Sequence, residues 1–359
     1  MAPRRPTETR SGSPAAPVTM RDIARLAGGV HPSTVSLALR NHPGISPATR
    51  RHIQRTAAAA GYHRDPLLDA FNERRLQSGQ RRSHPVLAFV SDFGARRKME
   101  ASSLHSALWR GALRAADALY HRLELFLVGP GALTPARLDS ILFTRGIDGL
   151  IAASFLPTTV PLRLTWNRYC GVKVECQDWL SPHFTIATDL LQGTRVAYRR
   201  AKQLGYNRVA LLPEPDEHAR NDLVQAGYLV EHAATKGRFS PLIAPPNIGG
   251  GKLRKWIRSE QVDALLSAQP KTGDALAAIG LPPGRAIGWA CLALAEAERG
   301  VAGLLADYER AGALAVEQVV SLSRLNLRGP SSSSMITYVP SAWQDGASLP
   351  SRHLLEPPA

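Results

Sequence analysis

Between residues 18 and 60 the apolar positions recur at helical spacing, and beyond residue 84 they gather into short runs separated by longer helical stretches. The first region predicts three short helices. One covers 20–27, with Ile23, Leu26 and Ala27 on an apolar face, Thr19 as N-cap, Asp22 in an imperfect capping box, and Gly28-Gly29 as its stop. A second starts at Pro32, a residue suited to a first helical turn, and runs on with Val35, Ala38 and Leu39 facing inward. Asn41-His42-Pro43-Gly44 reads as a turn. Ser46 then caps a third helix that begins at Pro47, runs to about Ala60, and turns Ile53, Ala57 and Ala60 towards the other two. Two short helices joined by a glycine turn, with a third behind them, are the pattern of a helix-turn-helix.

From residue 84 onward strands and helices alternate. Strands are predicted at 86–90, 123–128, 146–153, 209–212, 262–267 and 286–290, and helices at 103–120, 138–144 and 193–204. On the first of these helices Leu104, Leu108, Ala112 and Ala115 share a face. Alternation of this kind predicts parallel sheets with helices on both faces. About 260 residues of it suggest two lobes.

Charge sharpens this division. The formal charge of the 359 residues is +15. Residues 1–82 hold 14 Arg, no Lys and five acids, a net +9 carried by under a quarter of the chain. An excess of that sign directs the N-terminal region towards polyanions. Residues 1–17, rich in Pro, Ser and Arg, cannot build a core and read as a disordered arm without the apolar stretch of a secretory signal. No apolar run approaches the ~18 residues of a membrane helix, so no membrane partner is expected.

Catalytic chemistry finds no motif. Three cysteines, Cys170, Cys176 and Cys291, show neither redox nor metal spacing and read as buried small residues, and the 11 His show no metal spacing. Gly249-Gly250-Gly251-Lys252 lacks the first glycine and the Ser/Thr of a phosphate loop and reads as a surface turn. The expectation is a protein that is not an enzyme, with no cofactor and no metal.

The residues of the first region carry a resemblance. Val18-Thr-Met-Arg-Asp-Ile-Ala-Arg-Leu-Ala-Gly, then Val30, Ser33-Thr-Val-Ser, Ser46-Pro-Ala-Thr-Arg-Arg-His-Ile and Gly61-Tyr62 resemble the DNA-binding head of LacI/GalR-type bacterial regulators. Farther on, Arg145-Gly-Ile-Asp-Gly-Leu-Ile, Asp189 with Gly193, Leu204-Gly-Tyr-Asn-Arg-Val-Ala and Ala226-Gly-Tyr are similar to the effector core of that family. The resemblance implies a small all-α helix-turn-helix head plus an α/β effector core of two parallel-sheet lobes, shaped like a periplasmic binding protein. It places a disordered basic arm at 1–17, the head at 18–64, a hinge or linker at 65–83, the core at 84–345 and a frayed tail at 346–359. It also implies three chain crossings between lobes, expected near 206, 290 and 323.

The function that the resemblance implies is that of a cytoplasmic transcriptional regulator, a repressor by family habit. It would act on double-stranded operator DNA as a homodimer, with a small-molecule effector such as a sugar or sugar derivative between the lobes. When bound to DNA it would be nucleoid-associated. Thr19, Thr34, Ser36, Arg40, Asn41 and Tyr62 are expected at the DNA together with the base-edge readers His31, Pro32, Ser33 and Leu37. Phe71 occupies the place of the family's minor-groove wedge; it either parts a base step or packs with Leu67 and Leu68 against the core or the partner. The effector cleft is expected to draw on Ser91, Asp92, Phe93, Ser154, Phe155, Asp189, Arg220, Asp222 and Trp289. There are departures. The helix-turn-helix turn holds an extra glycine, Leu37 stands where the family often has Arg, Val224 replaces an effector-contacting Arg, and Gly288-Trp-Ala-Cys stands where an Asp pair is common. These leave open a constitutive DNA binder with a degenerate cleft, and, as a remoter alternative, a solute-binding protein.

Overall fold

The computed structural model describes residues 18–39, 44–60, 62, 84–153, 162–175, 184–214, 218–235, 240–296, 300–330 and 335–352. Its contacts divide the chain into two units, Met1–Ser83 with Leu325–Leu327, and His84–Arg324 with Arg328–Ala359.

The first unit contains α1 (Met20–Leu26), α2 (Pro32–Leu39) and α3 (Pro47–Ala59). Its capping box is complete: the Asp22 N–H donates to Thr19 Oγ1 at 3.4 Å, and the Thr19 N–H donates to Asp22 Oδ2 at 3.0 Å. α1 ends in a Schellman motif, with the Gly29 N–H donating to the Ala24 carbonyl at 3.0 Å. Gly28 and Gly29 have φ of 91° and 75°, a left-handed pair that only glycine adopts without strain, so the extra glycine is part of the stop. Ser46 Oγ accepts from the Thr49 N–H at 3.2 Å and starts α3. The core is small: Ile23, Ala24, Ala27, Val35, Ala38, Ile53 and Ala57. Leu26 is not in it. At 61% exposed it lies off the buried face, because Ile23, Ala24 and Ala27 form the stripe that α2 and α3 cover.

The second unit has two sheets. The first runs in the order β10-β5-β4-β3-β1-β2, formed by β1 (Val86–Ser91), β2 (Arg122–Leu127), β3 (Gly149–Ala153), β4 (Cys170–Val174), β5 (Phe184–Thr188) and β10 (Ile336–Val339), all parallel. The second runs β11-β9-β8-β7-β6. Here β6 (Val209–Leu212), β7 (Ala264–Ser267), β8 (Gly288–Leu294) and β9 (Ala302–Ala306) are parallel and β11 (Ser341–Gln344) is antiparallel. A parallel bridge between Leu211 and Ile243 extends the free side of β6, so the two sheets share one strand order.

Helices α4 (Arg96–Glu100), α5 (Ser103–Ala118), α6 (Pro135–Thr144) and α11 (Tyr308–Arg324) belong to the first lobe, and α7 (Leu190–Gln203), α8 (His218–Ala234), α9 (Gly250–Ser259) and α10 (Thr272–Ala278) to the second. Gly250 thus opens a helix, where a surface turn was expected from the three glycines. Two helices of the first lobe, α5 and α11, approach each other closely, with Gly111 against the Glu309 carbonyl and Gly312 against the Leu108 carbonyl.

The chain crosses between lobes at 189, 307 and 340. Thr188 ends β5 and Leu190 opens α7 in the second lobe's core; Ala306 ends β9 and Tyr308 opens α11 in the first; Pro340 alone separates β10 from β11. The expected crossings near 206, 290 and 323 are corrected by this. Each crossing leaves a strand end directly, and the strands concerned are only four or five residues long, too short to stand out as apolar runs. Residues 346–352, expected in a frayed tail, are instead held to the core unit. Leu349 is buried, Ser348 Oγ accepts from the Ala302 N–H and donates to the Trp289 carbonyl, both at 2.8 Å, and the Arg352 N–H donates to the Leu204 carbonyl at 2.8 Å.

One ion cluster ties α7 to α8. Glu231, buried, accepts from Arg195 Nε at 2.7 Å and from Arg199 Nε at 2.7 Å and Nη2 at 2.5 Å. The Arg199 hydrogen bonds, aided by Arg195 and opposed by burial, hold its carboxyl below the usual range. A depressed carboxyl contributes stability above its ordinary value, and that stability is lost as pH falls through the folded value. Glu231→Gln is expected to lower stability by about 2 kcal/mol at neutral pH. The gap from the wild type should close on acidification, as followed by thermal melts across pH.

Candidate nucleic-acid interface and effector cleft

On α2, Val35 and Ala38 are buried, leaving the opposite face free. Ser33 and Leu37 are exposed there, with Thr34 and Ser36 half-buried beside them and Pro32 half-buried at the helix start. His31 is exposed and is the N-cap: its carbonyl accepts from the Thr34 N–H at 2.8 Å and the Val35 N–H at 3.3 Å. Its ring also reaches Ser33, with Nδ1 at 2.7 Å from Oγ and accepting the Ser33 N–H at 3.3 Å. This surface offers hydroxyls, an imidazole, amides of a helix N-terminus and one apolar side chain, the groups that bind phosphates and base edges.

Two predicted residues have other work. The Thr19 hydroxyl donates to Asp22 Oδ2 at 2.6 Å as part of the cap. The Tyr62 side chain is half-buried against the head core, and its N–H closes α3 on the Ala57 carbonyl at 3.0 Å. Arg40, Asn41 and Phe71 lie outside the described residues. Sequence reasoning named no cation on α3, yet Arg51 and Arg55 are exposed there, one turn apart on the side away from the buried Ile53 and Ala57. Their helical spacing opposite the apolar stripe was the available signal.

In the core unit, both sheets turn their strand C-termini towards the crossings, where ligands bind in open α/β sheets. Ser91 ends β1 fully buried and Asp92 follows it, also buried. Phe93 is half-buried, edge-on to the buried His105 ring at 4.5 Å. Asp189 caps α7, accepting the Gln192 N–H at 3.0 Å. Asp222 is exposed on α8; Arg220 lies near the start of the same helix. Ser154 and Phe155 lie outside the described residues.

Trp289 requires a correction. It is the second residue of β8, is 3% exposed, and donates Nε1–H to Ser267 Oγ at 3.0 Å, so it packs in the second lobe's core. The apolar pattern predicts a strand that ends at 290. It continues to Leu294, with every residue buried, and the strand end that faces the crossings is at Ala295 and Glu296.

Glu175 was missed. It follows β4 directly, is buried, and has a φ of 52°, a left-handed conformation uncommon outside glycine that often marks a functional position. Its Oε1 accepts from the Thr188 N–H and hydroxyl, each at 2.7 Å, which joins the ends of β4 and β5. An acid immediately after the apolar run 170–174 was the signal. At the crossings there is also a cavity of about 450 Å³ lined by Arg110, Glu296, Asp307, Tyr308 and Pro340, among others. Carboxylates in such positions accept hydrogen bonds from hydroxyls or amines. Burial pushes the Cys170 thiol up to about 12, away from nucleophilic use. Among the described residues no group of three or more His, Cys, Asp or Glu could hold a metal ion.

Residues 19–65 match the model of the bacterial regulatory proteins of the lacI family. The chain carries a LacI-family domain. No curated protein matches the chain. Among solved structures it is similar to a transcriptional regulator CelR–cellobiose complex, with 18% identity and a TM-score of 0.57 over 92% of this chain and 99% of that one. It is likewise similar to the Lac repressor dimer bound to operator and the anti-inducer ONPF, with 17% identity and a TM-score of 0.53 over 93% of this chain and 100% of that one. The transcription regulator CcpA of Lactococcus lactis matches at 12% identity and a TM-score of 0.56, over 73% of this chain and 98% of that one. At such identities the likeness is one of fold: a helix-turn-helix head and a two-lobed core of parallel sheets.

In the core unit the motifs that carried the resemblance are structural. Gly146 and Gly205 take φ of 65° and 91° at helix ends. The Ile147 and Tyr206 N–H groups close the corresponding Schellman bonds. Asp263 accepts the backbone N–H groups of Asn207 at 2.8 Å and Arg208 at 2.9 Å, and Tyr228 donates its hydroxyl to the Val209 carbonyl at 2.9 Å. Val224 is buried in the second lobe.

Proposed function

We propose that this chain is a sequence-specific DNA-binding transcriptional regulator, a repressor, whose operator affinity is set by a small molecule bound between the two lobes. The observation that carries this is the free, hydroxyl-rich N-terminal face of α2 in a LacI-family domain. In this reading residues 18–64 are the head, 65–83 the hinge, and the effector and dimerisation core expected at 84–345 runs on to Arg352. Phe71 keeps its two roles, wedge or packing residue. A homodimer would set two heads on a pseudo-palindromic operator, with half-sites about one turn of DNA apart. The protein works in the cytoplasm and does not act as an enzyme. The CelR complex with cellobiose supports a sugar or sugar-like effector. Asp92, Glu175 and Asp189 would serve a hydroxylated ligand as acceptors. Trp289 has no place in that site.

The test is selection of duplexes from a random pool by the purified full chain, read at two salt concentrations and with a panel of sugars added. A palindrome with steep salt dependence, released by one sugar, is the expected result. Only sequence-blind, salt-sensitive binding would overturn the proposal. A palindrome that no ligand releases would favour the constitutive reading, which the buried Val224 supports.

The contact assignment has its own check. Leu37→Ala is expected to change the preferred base beneath it while leaving the salt slope intact, since Leu37 offers only apolar contact to a thymine methyl. Arg40→Ala should weaken all duplexes alike and reduce the slope by about one. A change of base preference in Arg40→Ala at an unaltered slope would reverse the two roles.

A further inference from the structure

The N-cap of α2 is a histidine whose ring is bonded to Ser33, one of the expected base readers. His31 Nδ1 accepts the Ser33 N–H at 3.3 Å. To accept, that nitrogen must keep its lone pair, so the ring's single proton is on Nε2. The 2.7 Å contact between Nδ1 and Ser33 Oγ then has one possible direction: the hydroxyl donates to the ring. The outward side of Ser33 is left with oxygen lone pairs only. It can meet a donor edge in the major groove, the exocyclic amine of cytosine or adenine.

A proton added at Nδ1 reverses this bond. The ring nitrogen becomes a donor to Ser33 Oγ, and the serine O–H is released to point outward. It now meets an acceptor edge: O6 or N7 of guanine, O4 of thymine, or N7 of adenine, so that cytosine is the base it no longer fits. The Ser33 N–H loses its cap, and the imidazolium adds one positive charge at the surface where phosphates would lie.

Among the described residues of the head, nothing else is placed to do this. α2 carries no ionisable side chain over Pro32–Leu39. On α1 the charged groups are Arg21, Asp22 and Arg25, with Asp22 engaged by Thr19 and Arg25. On α3 they are Arg50, Arg51, His52 and Arg55; Arg50 donates to the Ile45 carbonyl and Arg55 to the Arg51 carbonyl. Among the described residues, Ser33 is the hydrogen-bond partner of the His31 ring.

We propose that His31 and Ser33 form a single proton-coupled specificity element, in which the protonation state of the His31 ring decides whether Ser33 reads a donor or an acceptor base edge. The inference rests on the reading of the head as a DNA-binding unit.

The experiment is duplex selection by the full-length protein at about pH 5 and about pH 8, followed by affinity measurements on the selected duplex with the base beneath Ser33 varied. Wild type is expected to favour cytosine over guanine or thymine at the higher pH and guanine or thymine over cytosine at the lower, with relative affinities exchanging by at least about fivefold, while adenine, which offers both a donor and an acceptor, serves either state. His31→Asn supplies a cap oxygen that does not titrate, so it should keep the cytosine preference at both pH values. Ser33→Ala should lose the preference at both yet still bind more tightly at low pH, because the ring charge remains. The same preferred base at both pH values in the wild type would overturn the inference, as would an exchange that persists in His31→Asn. Failure to bind any duplex at either pH would overturn the function of the head, and this inference with it.

Discussion

Ile23→Ala is expected to abolish duplex binding while leaving the α/β core folded. Ile23 is fully buried at the centre of a head whose core holds seven buried residues, four of them alanines. Truncation at such a site costs about 2–5 kcal/mol, since the removed methyl and methylene groups leave a cavity that stiff neighbours fill only in part. A three-helix unit of this size has little stability in reserve. No cysteine or metal motif braces it. Duplex affinity should fall by more than about tenfold. The check is calorimetry beside a binding titration: loss of the head's transition with that of the core unchanged, together with loss of binding. Binding within about twofold of wild type would mean that α2 is held in place by something other than this core.

The second large effect is expected at Gly111. In an exposed helix interior, Gly→Ala stabilises by roughly 1 kcal/mol through propensity. At Gly111 the added Cβ would overlap the Glu309 carbonyl, and backbone cannot rotate away as a side chain can. The same crossing is closed from the other side by Gly312 against the Leu108 carbonyl. α5 and α11 would have to separate, pulling apart Arg110 and Arg114 from Glu309 and loosening the core formed by Leu108, Ala112, Ala315 and Val319. Gly111→Ala should therefore destabilise the core by about 3 kcal/mol. Gly251→Ala is the control: a Cβ there meets nothing within 4 Å, and a gain of up to about 1 kcal/mol is expected. Chemical denaturation of both variants measures the contrast, and equal behaviour would show that the α5–α11 approach is not tight.

The head was largely legible because its signals are local. Thr19 and Ser46 are caps, Pro32 and Pro47 open helices, and Gly28-Gly29 supplies the left-handed pair that ends α1. Each acts on backbone groups within four or five residues, so its meaning does not depend on the rest of the chain. The same holds for Arg145-Gly146-Ile147 and Leu204-Gly205-Tyr206, where glycine followed by an apolar residue closes a helix. Leu26 shows the limit of period alone. Its spacing from Ile23 and Ala27 fits an apolar face, but which face is covered was decided by where α2 and α3 pack.

The cleft was less legible, because its residues are brought together across long separations. Glu175 meets Thr188 only because β4 and β5 are neighbours, and Trp289 is hidden only because β8 runs on to Leu294. Crossings at 189, 307 and 340 follow from which sheet each short strand joins, and a four- or five-residue strand carries too little pattern to announce that choice. By itself the sequence determined the helix-turn-helix, its caps and stops, the excess of cations near the N-terminus and the alternation of a parallel α/β core, since these rest on local backbone chemistry, periodicity and charge. The tertiary structure alone decided which side chains stand at the strand ends, which aromatic is core, and that the His31 ring meets both the N–H and the hydroxyl of Ser33, since each of those depends on where a side chain ends up in space.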